Sequence, residues 1–342
     1  MKLTKEQIEA IATGVAYSSY TEEGRVTLHR FTPEEENLYL EKKPNFYSKV
    51  FCTSGMKLSF ITDSEKLGIK GYISGGTTRN YMAIQVFCDG KEIGIHTNYS
   101  HLEIPKLYVG LACDLGLSEC CFSLGGGEHH VEVYLPWSIQ FDFEEITLDD
   151  GAKIIPKKRD KLLLAYGDSI TQGYDALKPY NRYSSLVAEA LSADEHNKAI
   201  GGEIFFPDLA KNADRNLKPD YITVAYGTND WNGRRDTELF VVHVKEFFAA
   251  LADAYPETPI FALMPIWRKD VEDGERPLGS LEGLAEKIAD YTKDIPTVTV
   301  IKGYDVVPEC EDLYADLRLH PNDEGYVYQA KGFTERIKAC LG

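Results

Sequence analysis

The chain has 342 residues, 43% of them hydrophobic and 27% charged. That is an ordinary globular balance with material for about two domains of ~150 residues. Its 54 acidic residues outnumber 37 basic ones, giving a formal net charge of −17, which argues against nucleic acid or an anionic membrane as partner, since both need clustered Lys and Arg. The start, Met1–Glu9, is polar, and no window has the length and apolarity of a membrane span. Seven cysteines, an odd number that includes the neighbours Cys120 and Cys121, do not suit a disulfide framework. Together these features predict a cytoplasmic protein with reduced thiols and a small intracellular or imported substrate.

In chain order, Thr4 with Gln7 three residues on predicts a short capped helix over residues 4–12. From about residue 25 to 150 strand signals dominate: 50–52, 56–62, 67–72, 82–87 and 131–135, separated by Asp63-Ser64, Gly75-Gly76, Asp89-Gly90 and Gly125-Gly126-Gly127. Asp89-Gly90 is a hairpin turn, because that pair accepts positive φ at both central positions. Short strands at regular spacing predict a β-sandwich over residues 1–152. Glu128-His129-His130 has the residue types of a metal site, but it follows the glycine run and leads into an alternating strand, so it reads as a hairpin edge. No Cys-x-x-Cys or His-Glu-x-x-His occurs.

Residues 153–160, Lys153-Ile154-Ile155-Pro156-Lys157-Lys158-Arg159-Asp160, read as a connector. From 161 to 342 apolar strands (161–166, 195–200, 220–226, 259–265, 297–302) alternate with amphipathic helices (181–191, 237–254, 278–292, 322–340). That alternation predicts a parallel sheet with helices on both faces.

Four polar motifs stand in order in this half: Gly167-Asp168-Ser169, then Asn197-Lys198-Ala199-Ile200-Gly201-Gly202-Glu203, then Tyr226-Gly227-Thr228-Asn229-Asp230, then Leu319-His320-Pro321-Asn322-Asp323. The first three fall at carboxyl ends of predicted parallel strands, where open α/β sheets bind ligands. A serine hydroxyl becomes a useful nucleophile once an imidazole accepts its proton. The oxyanion formed on an attacked ester carbonyl needs fixed donors, each worth roughly 3–4 kcal/mol by its loss on removal. Singly, each motif has a plainer reading. Ser169 suits a helix cap, Asn229 a turn, His320–Asp323 a helix start with Asn322 as cap, and Gly201-Gly202 a tight loop.

Together, in this order and spacing, they resemble the SGNH (GDSL-type) hydrolase family over roughly Lys161 to the C-terminus. The resemblance implies a flavodoxin-like three-layer α/β/α domain. It also implies Ser169 as nucleophile, His320 as base, and the Ser169 N–H, Gly202 N–H and Asn229 amide as oxyanion donors. Gly202 is preferred to Gly201 because the family's glycine directly precedes an acidic residue. One departure stands out. The family's triad Asp lies three residues before the His, where this chain has Leu317, and Asp316 lies four before. Either an extra residue bulges out and Asp316 orients the imidazole, or a main-chain carbonyl does so in a Ser–His dyad. Paired with Arg318, Asp316 is also a plain surface carboxylate.

The β-rich front half resembles the jelly-roll-like domain that precedes the catalytic domain in some SGNH carbohydrate esterases. The resemblance implies removal of O-acetyl groups from sugars, a small acylated substrate and no metal or organic cofactor. Asp168, Trp231, Trp267 and Arg268 are the candidate substrate contacts, with Tyr180 and Tyr183 as possible pocket caps. Trp231 and Trp267 also suit packing, and Trp137 reads as interdomain core. Two other functions stay open: a short-chain acyl esterase, lysophospholipase or thioesterase, and a non-catalytic sugar-binding module on a hydrolase scaffold.

Overall fold

Strand pairing in the first half follows from alternating apolar residues that need a second face to cover them. The computed structural model describes residues 1–99, 108–109, 111, 113–233, 236–272 and 276–342. Among these, two antiparallel sheets form. One runs Ala12–Thr13, Lys57–Thr62, His129–Tyr134, Ala83–Cys88, Lys91–Thr97, with Ile155–Pro156 also pairing with Lys57–Thr62. The other runs Tyr17–Tyr20, Val26–His29, Ile139–Thr147, Lys66–Gly75, Gly116–Ser123. Leu58, Phe60, Val131 and Val133 of the first share one core with Leu28, Ile69, Phe141 and Phe143 of the second, which makes a β-sandwich. Asp89 and Gly90 take φ of 50° and 76°, the two-residue hairpin turn their sequence requires.

The second half is a five-stranded parallel sheet. Its strands are β1 (Lys161–Gly167), β2 (Ala193–Asn197), β3 (Tyr221–Ala225), β4 (Ile260–Leu263) and β5 (Val298–Ile301), in spatial order β2-β1-β3-β4-β5. Alternation along each strand assigns side chains to two layers. Leu164, Tyr166, Ile222, Val224, Ile260 and Ala262 face the helices Thr237–Ala254 and Leu284–Thr292. Leu163, Tyr221, Phe261 and Leu263 face the helices Tyr183–Ala190 and Asp323–Leu341. The result is the parallel sheet with helices on both faces expected from the alternation, in the flavodoxin-like order that the family resemblance implied.

Three local expectations need correction. Residues 50–52 are not a strand: Tyr47–Val50 is a helical turn that ends at Phe51. The helix Pro33–Lys42 was not anticipated, although Thr32 and Glu35 form a capping box around Pro33 at the first helical position. Strand β2 lies at 193–197 rather than 195–200. Its sequence, Ala-Asp-Glu-His-Asn, is polar yet wholly buried, because residues 30–52 of the front half cover it. Arg30, with no exposed surface, donates to the carbonyls of Cys52, Lys49, Asn197 and Ala199. Lys198 pairs with Glu35, and the His196 imidazole donates to the Arg30 carbonyl at 2.7 Å. Phe31, Tyr39 and Val50 enter the same core as the helix Thr237–Ala254. Trp137 packs on Tyr174 and donates to the Ala176 carbonyl, so it is interdomain core as expected.

Candidate active site

Three strand ends and one loop bring the four motifs to one rim. At the end of β1, a Cβ on Gly167 would lie 2.1 Å from Thr171 Oγ1 and 3.0 Å from the Ala225 carbonyl oxygen. Glycine is therefore what lets the strand pass straight into the helix Ser169–Gln172. Asp168 caps that helix by accepting from the Ile170 N–H at 2.9 Å. Burial, partly offset by that hydrogen bond and by His320 and Arg268, pushes its carboxyl up to about 7. Ser169 follows as the first helical residue, 5% exposed.

After β2 the chain makes the glycine loop. Gly202 has φ 87°, in the left-handed region. At Gly201 a Cβ would meet the Tyr174 ring at 2.3–2.5 Å. The Gly201 N–H donates to Gln172 Oε1 at 2.7 Å, whereas the Gly202 N–H takes no protein acceptor among the described residues. Asn229, in the short helix Thr228–Gly233 after β3, donates one amide hydrogen to the Glu203 carbonyl at 2.9 Å. The side chain is thereby fixed against the glycine loop with its other N–H left over.

His320 comes from the loop ahead of the last helix. Its Nε2 lies 2.9 Å from Ser169 Oγ, and its Nδ1 lies 2.9 Å from Asp316 Oδ2. The other carboxylate oxygen, Oδ1, accepts from the main-chain N–H groups of Arg318, Leu319 and His320. Burial alone would raise the Asp316 carboxyl, but His320 and those N–H groups outweigh it and hold it well below the usual carboxylate range. Leu317 takes φ 54°, the left-handed bulge that accommodates one residue more than the family spacing. The Ala315 N–H donates to the His320 carbonyl and closes the loop. Asn322 does cap the helix Asp323–Leu341, so the plain reading of that motif holds beside the chemical one.

Residues that the sequence reading missed surround the imidazole. Tyr174 stacks on it at 5.4 Å between centroids. A second carboxylate, Asp175 Oδ2, lies 3.4 Å from Nδ1 and is itself gripped by Arg79 of the sandwich, with Nε to Oδ1 at 2.7 Å. The signal for Asp175 was its place just beyond the nucleophile helix; for Arg79 the sequence gives none.

The four candidate substrate contacts sit deeper than expected. Arg268 is 1% exposed, paired with Asp270 and donating to Thr228. Trp231, also 1% exposed, donates to the Gly279 carbonyl and lies under the Arg268 and Arg276 guanidiniums. Trp267 packs edge-on against Tyr314. Asp168 is spent on its cap. All four are buried, so they shape the rim from beneath rather than present an open contact surface. Tyr183 is buried with its hydroxyl on Thr171, and Tyr180 packs on Phe87 and Tyr134 of the sandwich. His129 and His130 open the strand His129–Tyr134, which lies in the middle of its sheet and not at an edge as expected; His129 pairs with Asp89 and His130 bonds Ser59.

Comparison with known proteins agrees with this geometry. Residues 165–328 match the GDSL-like Lipase/Acylhydrolase family. No curated protein sequence matches significantly. Among solved structures, a salicylyl-acyltransferase, SsfX3, from a tetracycline biosynthetic pathway superposes with TM-score 0.77 at 21% identity, covering 96% of this chain and 95% of that one. A GDSL-like lipase from Bacteroides ovatus, described as putative, gives 0.75 at 18% identity, covering 100% and 98%. An acetyl xylan esterase from the rumen bacterium Butyrivibrio proteoclasticus gives 0.63 at 16% identity, covering 100% and 98%. At these identities the likeness establishes the shared two-part fold, sandwich and parallel sheet together. The rear half of this chain is a GDSL-like lipase/acylhydrolase domain of the SGNH type, and the chain is a carboxylic ester hydrolase.

Proposed function

We propose that the protein is a serine esterase that removes short acyl groups, acetyl above all, from the hydroxyls of carbohydrates. The observation that carries the reading is the unbroken hydrogen-bonded line from Asp316 through His320 to Ser169, 2.9 Å at each step. In this mechanism Ser169 Oγ attacks the ester carbonyl as His320 Nε2 takes its proton. Asp316 accepts from Nδ1, which fixes the tautomer and stabilises the imidazolium. The carbonyl oxygen gains negative charge and is met by the N–H groups of Ser169 and Gly202 and by the free amide hydrogen of Asn229. Collapse expels the sugar oxygen, which takes the proton from His320. Water, activated by the same imidazole, then releases the acid and restores Ser169.

Support for a sugar comes from solved carbohydrate esterases of the same two-part architecture, including the rumen acetyl xylan esterase. A second reading, transfer of the acyl group to an acceptor other than water, is favoured by the salicylyl-acyltransferase, which matches along 96% of this chain. Both readings share the acyl-enzyme on Ser169.

The test is Ser169→Ala with nitrophenyl acetate and acetylated oligosaccharides. Activity should fall by several orders of magnitude with thermal unfolding unchanged, and an organophosphate should label Ser169 in the parent. A folded Ser169→Ala protein that keeps more than about a tenth of parent activity removes Ser169 as nucleophile. Acetate released without an acylated acceptor supports hydrolysis; an acylated acceptor supports transfer.

A further inference from the structure

Most of the cations buried around the site are paired among the described residues; Lys49, which faces the reacting end, is not. Lys43 pairs with Glu203, Arg79 with Asp175, Arg182 with Glu195, Lys198 with Glu35 and Arg268 with Asp270. Arg30 is spent on four carbonyls. Lys49, half-buried on the turn Tyr47–Val50, has no carboxylate within ion-pair distance among the described residues. Its one hydrogen bond is to the Gly201 carbonyl of the glycine loop. An ammonium has three donors, so two remain.

The position of Lys49 sets what those donors can meet. Its Nζ is 3.9 Å from the Cβ position of Gly202, whose N–H is the proposed oxyanion donor. The same ammonium lies 4.4 Å over the ring of Phe46, and that ring is 3.5 Å from the Gly202 Cβ position. Phe46 and Lys49 therefore form a ledge from the sandwich side on the outer edge of the glycine loop. Phe46 is partly exposed, with the Lys49 ammonium over one face of its ring. Burial lowers the Lys49 pKa, and the nearby Cys52 and Glu203 only partly offset it, Glu203 being already paired with Lys43. In a chain with a net charge of −17, carboxylates are plentiful, yet among the described residues none forms an ion pair with this ammonium.

We infer that the Phe46–Lys49 ledge is a subsite for a carboxylate on the substrate, so that the favoured ester is an acylated sugar acid rather than a neutral acylated sugar. The inference rests on the serine-esterase reading above. The sugar ring packs on Phe46 while its carboxylate takes the two remaining Lys49 donors, a charge-assisted contact in a partly desolvated place. A plainer role, in which Lys49 only braces the Gly201 carbonyl, gives no dependence on substrate charge.

The experiment compares kcat/KM on O-acetylated galacturonic acid and on its methyl ester, with nitrophenyl acetate beside them, at low and high salt. The parent protein should favour the free acid by about tenfold or more, as expected for a hydrogen bond to a charged group. High salt should reduce the preference. Lys49→Met should shrink it to within about threefold, and Lys49→Arg should keep most of it, by the same energetic reasoning. Equal hydrolysis of acid and ester by the parent overturns the inference, with no variant needed. So does a preference that survives in Lys49→Met, or turnover of nitrophenyl acetate with neither sugar accepted. Absence of nitrophenyl acetate turnover in the folded parent instead overturns the esterase reading itself.

Discussion

Two carboxylates compete for one imidazole nitrogen, and their distances rank them. Asp316 is 2.9 Å from His320 Nδ1, while Asp175 is 3.4 Å away and already committed to Arg79. Asp316 should orient the ring, with Asp175 close enough to stand in when it is lost. Asp316→Ala should therefore cost at least about tenfold in kcat, yet less than the ~10⁴-fold that follows loss of tautomer control in a serine protease. The double variant Asp316→Ala, Asp175→Ala should fall further, by more than the product of the single effects, since each carboxylate covers for the other. His320→Ala should be near-inactive throughout. Steady-state kinetics on the parent, Asp316→Ala, Asp175→Ala, the double variant and His320→Ala decide it: full kcat in Asp316→Ala rejects Asp316 as orienter, and strictly multiplicative losses reject Asp175 as its substitute. Ser169, Gly202, Asn229 and His320 were legible because each stands in a short polar motif that follows a strand or precedes the last helix, in a fixed order along the chain. Asp175 and Arg79 escaped because their meeting depends on how the sandwich docks, which no local pattern encodes.

At the level of elements, the His320 loop shows how a local backbone state sets a reacting distance. Residues 314–321 close on themselves through Tyr314 pairing with Pro321 and the Ala315 N–H on the His320 carbonyl. One residue in between, Leu317, sits at φ 54°, a conformation that costs a non-glycine residue roughly 1–2 kcal/mol. Leu317→Gly should remove that cost, leave kcat near the parent value and raise stability by up to about 1 kcal/mol, less the flexibility glycine adds to the unfolded chain. Leu317→Val should lower both, because a β-branched residue tolerates left-handed backbone least. Thermal unfolding and kcat measured together check this; a Leu317→Val protein with full activity and stability means the bulge is not needed to hold Asp316. The parallel strands and the long helices were readable from periodicity. Strand β2 was expected at 195–200, which leaves out Ala193 and Asp194 and runs on into Lys198-Ala199-Ile200; the polar run is a buried strand because residues 30–52 dock on it. The helix Pro33–Lys42 carried its own signal, a capping box with proline at the first position, which the surrounding strand pattern masked.

Across the whole molecule, the seam between sandwich and parallel sheet is polar and buried, and that makes stability depend on pH. His196 is enclosed there, donating to the Arg30 carbonyl with Lys198 nearby. Burial first, then the Lys198 charge, lowers its pKa from 6.5 to about 3. The sign follows directly. Below 6.5 the unfolded chain binds a proton on this residue, whereas the folded protein does so only near 3, so the unfolded state holds more protons in between. Stability must then fall as pH drops through that window, at up to about 1.4 kcal/mol per pH unit for one proton. Glu195 adds to the loss at the lower end: burial opposes its charge, but Arg182 outweighs that and takes its pKa down to about 2, so its contribution goes as pH falls from 4.5. Urea unfolding at pH 7, 6, 5 and 4 should show a steady decline. His196→Gln keeps a donor for the Arg30 carbonyl but cannot titrate, so between pH 6 and 4.5 its decline should be shallower by about one proton's worth. An unchanged slope in that variant would place the acid-sensitive group outside the seam. Because Arg30 also bonds the Ala199 carbonyl just before the glycine loop, loosening the seam should reach the oxyanion donors too. Activity at pH 5 should therefore decay in step with unfolding of the parent and more slowly in His196→Gln.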